Sequence, residues 1–209
     1  MKIILKNIEV KSRLIDDYTN SYIIQDIDTK EAMCIDPGGE LDKITDMLNI
    51  LDAKLKYIFL THSHMDHIQE AQNLKEKMGG EILIYRKAEE NINNPNNNLS
   101  IMVNENINIS EYARVDDKDI LHVGGIELEV IYTPGHTNDS VSLYSKKEGI
   151  IFTGDTLMCM GCGRTDLPTG SKENLKKSLK KLFKLPDETF VYPGHGMATT
   201  IKDEKERYL

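Results

Sequence analysis

The sequence predicts an α/β protein of four layers, with two facing sheets and helices on the outside. Two observations lead there. Short apolar runs of strand length alternate with longer stretches of helical periodicity. The alternation runs twice, once in each half, so each half can build one sheet with its covering helices. At 209 residues the chain can bury a substantial core, and residues 1–209 are expected to form one domain.

Residues 2–10 and 20–28 have strand-like composition. Ala32-Met33-Cys34-Ile35 continues them as a buried strand, closed by the turn Asp36-Pro37-Gly38-Gly39. Cys34 reads as a small buried hydrophobe. Leu41, Ile44, Leu48 and Leu51 recur at helical spacing and predict an amphipathic helix over 40–53. A strand at 57–60 precedes a histidine cluster. A helix from Asp66 to about Met78 follows it and ends at Gly79-Gly80. Residues 82–85 form another short strand. The run Asn93-Asn94-Pro95-Asn96-Asn97-Asn98 is low in complexity and breaks structure. Residues 91–108 therefore read as a long surface loop, with one helical turn, at the rim of a site. Strands resume at 119–123, 126–132, 140–145 and 150–153. A helix over 171–184 has Ser171 as its N-cap and buries Leu175, Leu179, Leu182 and Phe183. A strand at 190–192 and a helix from Thr199 close the chain.

Composition excludes several classes of function. The net charge is -8, and basic residues cluster only at Lys176, Lys177, Lys180 and Lys181, a pattern better suited to a solvated helix face. Nucleic acid is therefore not expected as a partner. The first residues, Met1-Lys2-Ile3-Ile4-Leu5-Lys6, meet charge too early for a signal-peptide core, and no apolar run is long enough to span a membrane. A cytoplasmic protein without membrane attachment is expected. Its three cysteines suit reduced thiols better than a disulfide framework.

The stretch Thr61-His62-Ser63-His64-Met65-Asp66-His67 packs three of the six histidines and a carboxylate together just past a predicted strand. Imidazole and carboxylate are the ligands that zinc and neighbouring metals prefer. His62 and His64, two residues apart, suit an extended segment, while Asp66 and His67 open a helix. A solvated histidine-rich loop would explain this cluster alone. It would not explain three later repeats of one pattern, in which an apolar strand is followed by glycine and a ligand-type residue. These are His136 in Thr133-Pro134-Gly135-His136, Asp155 in Phe152-Thr153-Gly154-Asp155, and His195 in Tyr192-Pro193-Gly194-His195. Glycine permits the close backbone approach that a crowded metal site needs. His122 lacks this setting and reads as structural or surface.

T-H-S-H-M-D-H followed in order by P-G-H-T, F-T-G-D-T and Y-P-G-H-G resembles the motif series of the metallo-β-lactamase fold superfamily. The resemblance spans nearly the whole chain and implies an αββα sandwich with metals at one edge. It further implies that His62, His64 and His136 hold one metal. Asp66, His67 and His195 would hold a second, with Asp155 bridging. Gly161-Cys162-Gly163-Arg164-Thr165-Asp166 is similar to glyoxalase II and to persulfide dioxygenases, and the end of the chain looks like the short, single-domain glyoxalase II-like hydrolases. No counterpart of the C-terminal helical domain with which longer relatives hold glutathione follows, so the thiol carrier stays open. Ile68-Gln69-Glu70 also replaces a glycine pair common after the last histidine of the cluster.

The expectation is a hydrolase of small thioesters with two zinc ions, iron or manganese being possible. The metals would share a hydroxide that forms near neutral pH and attacks the acyl carbonyl. Asp66 would bind metal and orient that hydroxide. Arg164 could meet a substrate carboxylate or pin its own loop by a salt bridge. Cys159-Met160-Gly161-Cys162 has C-x-x-C spacing but lies in a glycine-rich loop instead of opening a helix, which argues against redox work. The resemblance places the Cys162 thiol in the substrate pocket. Two rivals remain open: a dioxygenase with one iron on His62, His136 and Asp155, and a metal-binding protein without turnover. A β-lactamase and a nuclease of this fold fit the chain less well.

Overall fold

A computed structural model describes residues 3–14 and 18–208. Two six-stranded mixed sheets face each other. The first has β1 (Ile3–Lys11), β2 (Tyr18–Asp26), β3 (Glu31–Ile35), β4 (Lys54–Phe59), β5 (Glu81–Tyr85) and β6 (Ala113–Val115) in sequential order. The second has β12 (Thr199–Thr200), β11 (Phe190–Pro193), β10 (Ile150–Gly154), β9 (Val141–Ser145), β8 (Ile126–Tyr132) and β7 (Ile120–Val123) in that order. Helices α1 (Leu41–Ile50), α2 (Met65–Ile68) and α3 (Ala71–Met78) belong to the first half. Helices α4 (Lys172–Leu182) and α5 (Ile201–Tyr208) belong to the second. This is the αββα sandwich of the metallo-beta-lactamase fold.

Strand alternation generates the layers, because successive side chains point to opposite faces. In β3, Ala32 and Cys34 join Ile44, Leu48 and Leu74 of the helices outside the first sheet. Met33 and Ile35 turn inward with Phe59, Val130 and Phe152 to fill the space between the sheets. In β10, Ile150 and Phe152 face inward while Ile151 meets Leu175, Leu179 and Leu182 of α4. Both faces of these central strands are therefore apolar. Truncating a fully buried side chain such as Phe59 costs about 3–5 kcal/mol.

Several boundaries differ from expectation. The first strand runs to Lys11, and Lys2, expected to begin it, lies outside the described residues. The second ends at Asp26, whose carboxylate accepts from the amides of Asp28 and Thr29 and turns the chain. The helix expected from Asp66 to Met78 is two helices, because the Glu70 amide donates to the Pro37 carbonyl at 3.0 Å outside the helical ladder. β6 was not expected; its three residues are too few to show a period. Thr199 and Thr200 pair with β11 before α5 begins at Ile201. Ser171 caps α4 by accepting from the Asn174 amide. The asparagine-rich segment forms a surface loop that carries a 3₁₀ turn at Ser100–Val103.

Candidate metal centre

The seven predicted ligands come together at one edge of the sandwich, each placed by the end of an element. His62 and His64 follow β4, Asp66 and His67 lie in α2, His136 follows β8, Asp155 follows β10 and His195 follows β11. His122 stays exposed on β7, opposite Glu127. The donor atoms of His62, His64 and His136 lie within 4.8 Å of one another, and so do those of Asp66, His67 and His195. Asp155 reaches both groups. Its carboxylate oxygens lie 3.5 Å from Nε2 of His136, of His67 and of His195.

Surrounding groups fix the orientation of the rings. Nδ1 of His136 faces the Arg164 carbonyl at 2.8 Å, and Nδ1 of His195 faces the Tyr18 carbonyl at 2.9 Å. A carbonyl only accepts, so each Nδ1 carries a proton, and it is Nε2 that presents a lone pair when the ring is neutral. Asp36 does the same for His67 at 2.9 Å, and it also accepts from the Thr61 hydroxyl at 2.6 Å and the Thr61 amide at 2.7 Å. With its proton committed to Asp36, that hydroxyl can accept from Nδ1 of His62, 3.1 Å away. His64 is turned the other way, with Nδ1 2.9 Å from Nε2 of His136.

Asp36 is the residue that sequence reasoning missed. It closes β3 in the left-handed region, with φ 52, and is buried. It falls within a third group of possible ligands with His62 and His67. Its oxygens are already occupied by Thr61 and His67, which makes it an orienting carboxylate. The signal was the predicted strand-end turn Asp36-Pro37-Gly38-Gly39, read there only as a turn.

The donor set fits a metal ion. Nε2 of His62 and Oδ1 of Asp155 are buried without a hydrogen-bond partner, an arrangement that costs stability unless something else meets them. Glycines clear the space. A Cβ at Gly194 would collide with Asp155 Oδ1 and come within 2.5 Å of His67, and one at Gly163 would come within 2.7 Å of His136 Nδ1.

Electrostatics divide the two groups. Burial, reinforced by His67, His64 and His136, drives His62 well below the ordinary imidazole range. Burial and His136 bring His64 down to about 3. Burial acts the same way on His195, but Asp155 and Asp66 outweigh it and hold that ring up at about 10. Burial also opposes ionisation of Asp66, which His67, His195 and His64 nevertheless keep well below the usual carboxylate range.

The two remaining candidates sit differently. Arg164 lines the cleft above the centre, but its guanidinium is bidentate to Asp166 at 2.7 and 2.6 Å. What it gives the site is its backbone carbonyl, on His136. Cys162 packs with Phe183 and Leu185 against the apolar layer under α4. Its neighbour Gly163 lines the cleft.

The family model of the metallo-beta-lactamase superfamily matches residues 14–195, which include all seven candidate ligands. The chain belongs to this superfamily. As a superfamily member it is 34% identical over 189 residues to hydroxyacylglutathione hydrolase GloC of Haemophilus influenzae, covering 85% of this chain and 86% of that one. Its fold superposes on the crystal structure of BLEG-1 B3 metallo-beta-lactamase with a TM-score of 0.88, at 31% identity and 97% coverage of both chains. TTHA1623 in a di-iron-bound form gives 0.82 at 27% identity, over 94% of this chain and 95% of that one. Superfamily membership and the His/Asp groups together imply a divalent metal. No helix among the described residues is long and apolar enough to cross a membrane.

Proposed function

We propose that this superfamily member is a binuclear metal-dependent hydrolase of small thioesters. The reading rests chiefly on Asp155, whose carboxylate lies 3.5 Å from histidines of both groups and so suits a bridging ligand. The similarity to a hydroxyacylglutathione hydrolase supports the choice of thioester. His62, His64 and His136 hold one ion, and Asp66, His67 and His195 the other. Zinc is the expected metal, and the di-iron form of TTHA1623 keeps iron in view. Bound metal of this kind supplies a water that ionises near neutral pH and polarises an acyl oxygen.

The chain's own groups do the rest. Asp66, 3.3 Å from His195 Nε2, is ionised and directs one oxygen into the centre. Asp36, Thr61 and the carbonyls of Arg164 and Tyr18 hold the rings so that ligand atoms need no rearrangement.

Two outcomes follow. First, hydrolysis of S-D-lactoylglutathione and other small thioesters exceeds that of nitrocefin in kcat/KM. The fold shared with a B3 metallo-beta-lactamase makes nitrocefin the appropriate competitor, and a higher value on the lactam would reverse the assignment. Second, metal uptake differs between the sites as pH falls. His195, held at about 10, must lose a proton before it ligates, whereas His64, at about 3, is already neutral. Each pH unit lowered from 9 to 7 then weakens uptake at the His195 site by about tenfold per displaced proton. Metal stoichiometry after equilibrium dialysis should show one ion lost before the other. Joint loss at a single pH would contradict the division.

A further inference from the structure

We propose that the cleft selects thioesters by an uncharged, apolar acyl arm and leaves the thiol carrier outside. This deepens, and rests on, the thioesterase reading. The floor of the cleft is formed by His64, Asp66, His136 and Asp155, and its walls by Leu14, Leu99, Met102, Met158 and Leu167. These five apolar residues arrive from three separate stretches: the segment after β1, the 3₁₀ turn at residues 100–103 with its N-cap Leu99, and the loop after β10. One mobile loop does not account for such convergence.

The 3₁₀ turn is built to present its apolar residues. Leu99 stands in the left-handed region at φ 66, a costly conformation for a bulky side chain. Asn98 holds the turn in place: its side chain donates to the Ile92 carbonyl at 2.8 Å and accepts from the Ser100 amide at 2.9 Å. Its carbonyl accepts from the Met65 amide of α2 at 2.8 Å. The turn is thus tied to the helix that carries Asp66 and His67. Met102 is 68% exposed, so its place at the rim owes nothing to core packing.

Charge and size narrow the occupant. Among the described lining residues Arg164 is the one cation, and Asp166 matches it. Arg164 is therefore not free to receive a carboxylate on the arm, and the walls offer such a group only apolar contacts. The cavity measures about 260 Å³, just below the ~300–1,000 Å³ common for ligand pockets. That space suits one arm of a thioester and not a peptide-sized carrier as well. In the reaction water adds its oxygen to the acyl carbon and the C–S bond breaks. The sulfur leaves with the electron pair and takes a proton, so an acid and a thiol form without any redox partner.

The test uses the metal-loaded protein with acetyl, butanoyl and hexanoyl thioesters of the neutral carrier N-acetylcysteamine, beside S-D-lactoylglutathione. The kcat/KM should rise about fourfold per methylene until the cavity is full, the equivalent of about 0.8 kcal/mol per buried methylene. The hexanoyl ester should exceed lactoylglutathione. Met102→Gln with Met158→Gln should lower the hexanoyl-to-acetyl ratio by about tenfold. Calorimetry with ketone analogues, in which a methylene separates sulfur from the carbonyl, reads chain-length dependence without turnover. A flat series, a preference for lactoylglutathione, or an unchanged ratio in the double variant overturns the apolar-arm inference. Chain-dependent binding of the ketones with no thioester hydrolysed upholds the inference about the cleft and overturns the thioesterase reading.

Discussion

Asp155→Ala is expected to abolish most metal binding and to lower thioester turnover by about 10³-fold, the upper range for losing a preorganised charged group. The carboxylate stands between three histidines from two different groups. Without it both histidine groups would lose the carboxylate they share, and its negative charge would no longer offset that of bound cations. His62→Ala should lose the ion of its own group, since its Nε2 is one of the buried atoms left without a protein partner. Elemental analysis of both variants checks this directly. Metal content equal to the parent in both would remove the basis for the assignment.

His195→Ala should act more selectively. Its side chain is 20% exposed and lies at the rim of the centre, so truncation leaves the core intact. The His62, His64 and His136 group keeps its ion, and the other falls toward vacancy. Thioester turnover then drops by about 10²-fold or more, while metal content moves from two ions per chain toward one. Unchanged turnover in a variant that has lost that ion would mean that one metal suffices.

The layers were legible from periodicity because the two sides of each central strand bury different neighbours, as Ile150 and Ile151 do in β10. The candidate ligands were legible because four of them cluster just past one strand and the other three, His136, Asp155 and His195, each follow a glycine at a strand end. What the sequence hid depends on backbone geometry. The break between α2 and α3 follows from a single amide turning to the Pro37 carbonyl, which no side-chain pattern records. Asp36 looked like a turn residue because its second role needs Thr61 and His67 in space, 25 and 31 positions away. Arg164 drew notice for its guanidinium but serves His136 through its carbonyl.

Oxygen consumption tests the account's central claim, metal-dependent hydrolysis, most directly. An oxygen electrode with the iron-loaded protein and glutathione persulfide should register no uptake, and thioester hydrolysis should run equally fast without oxygen. Rapid uptake that survives His195→Ala but not His136→Ala would show that a single iron on His62, His136 and Asp155 does the chemistry, and that the protein is an oxygenase.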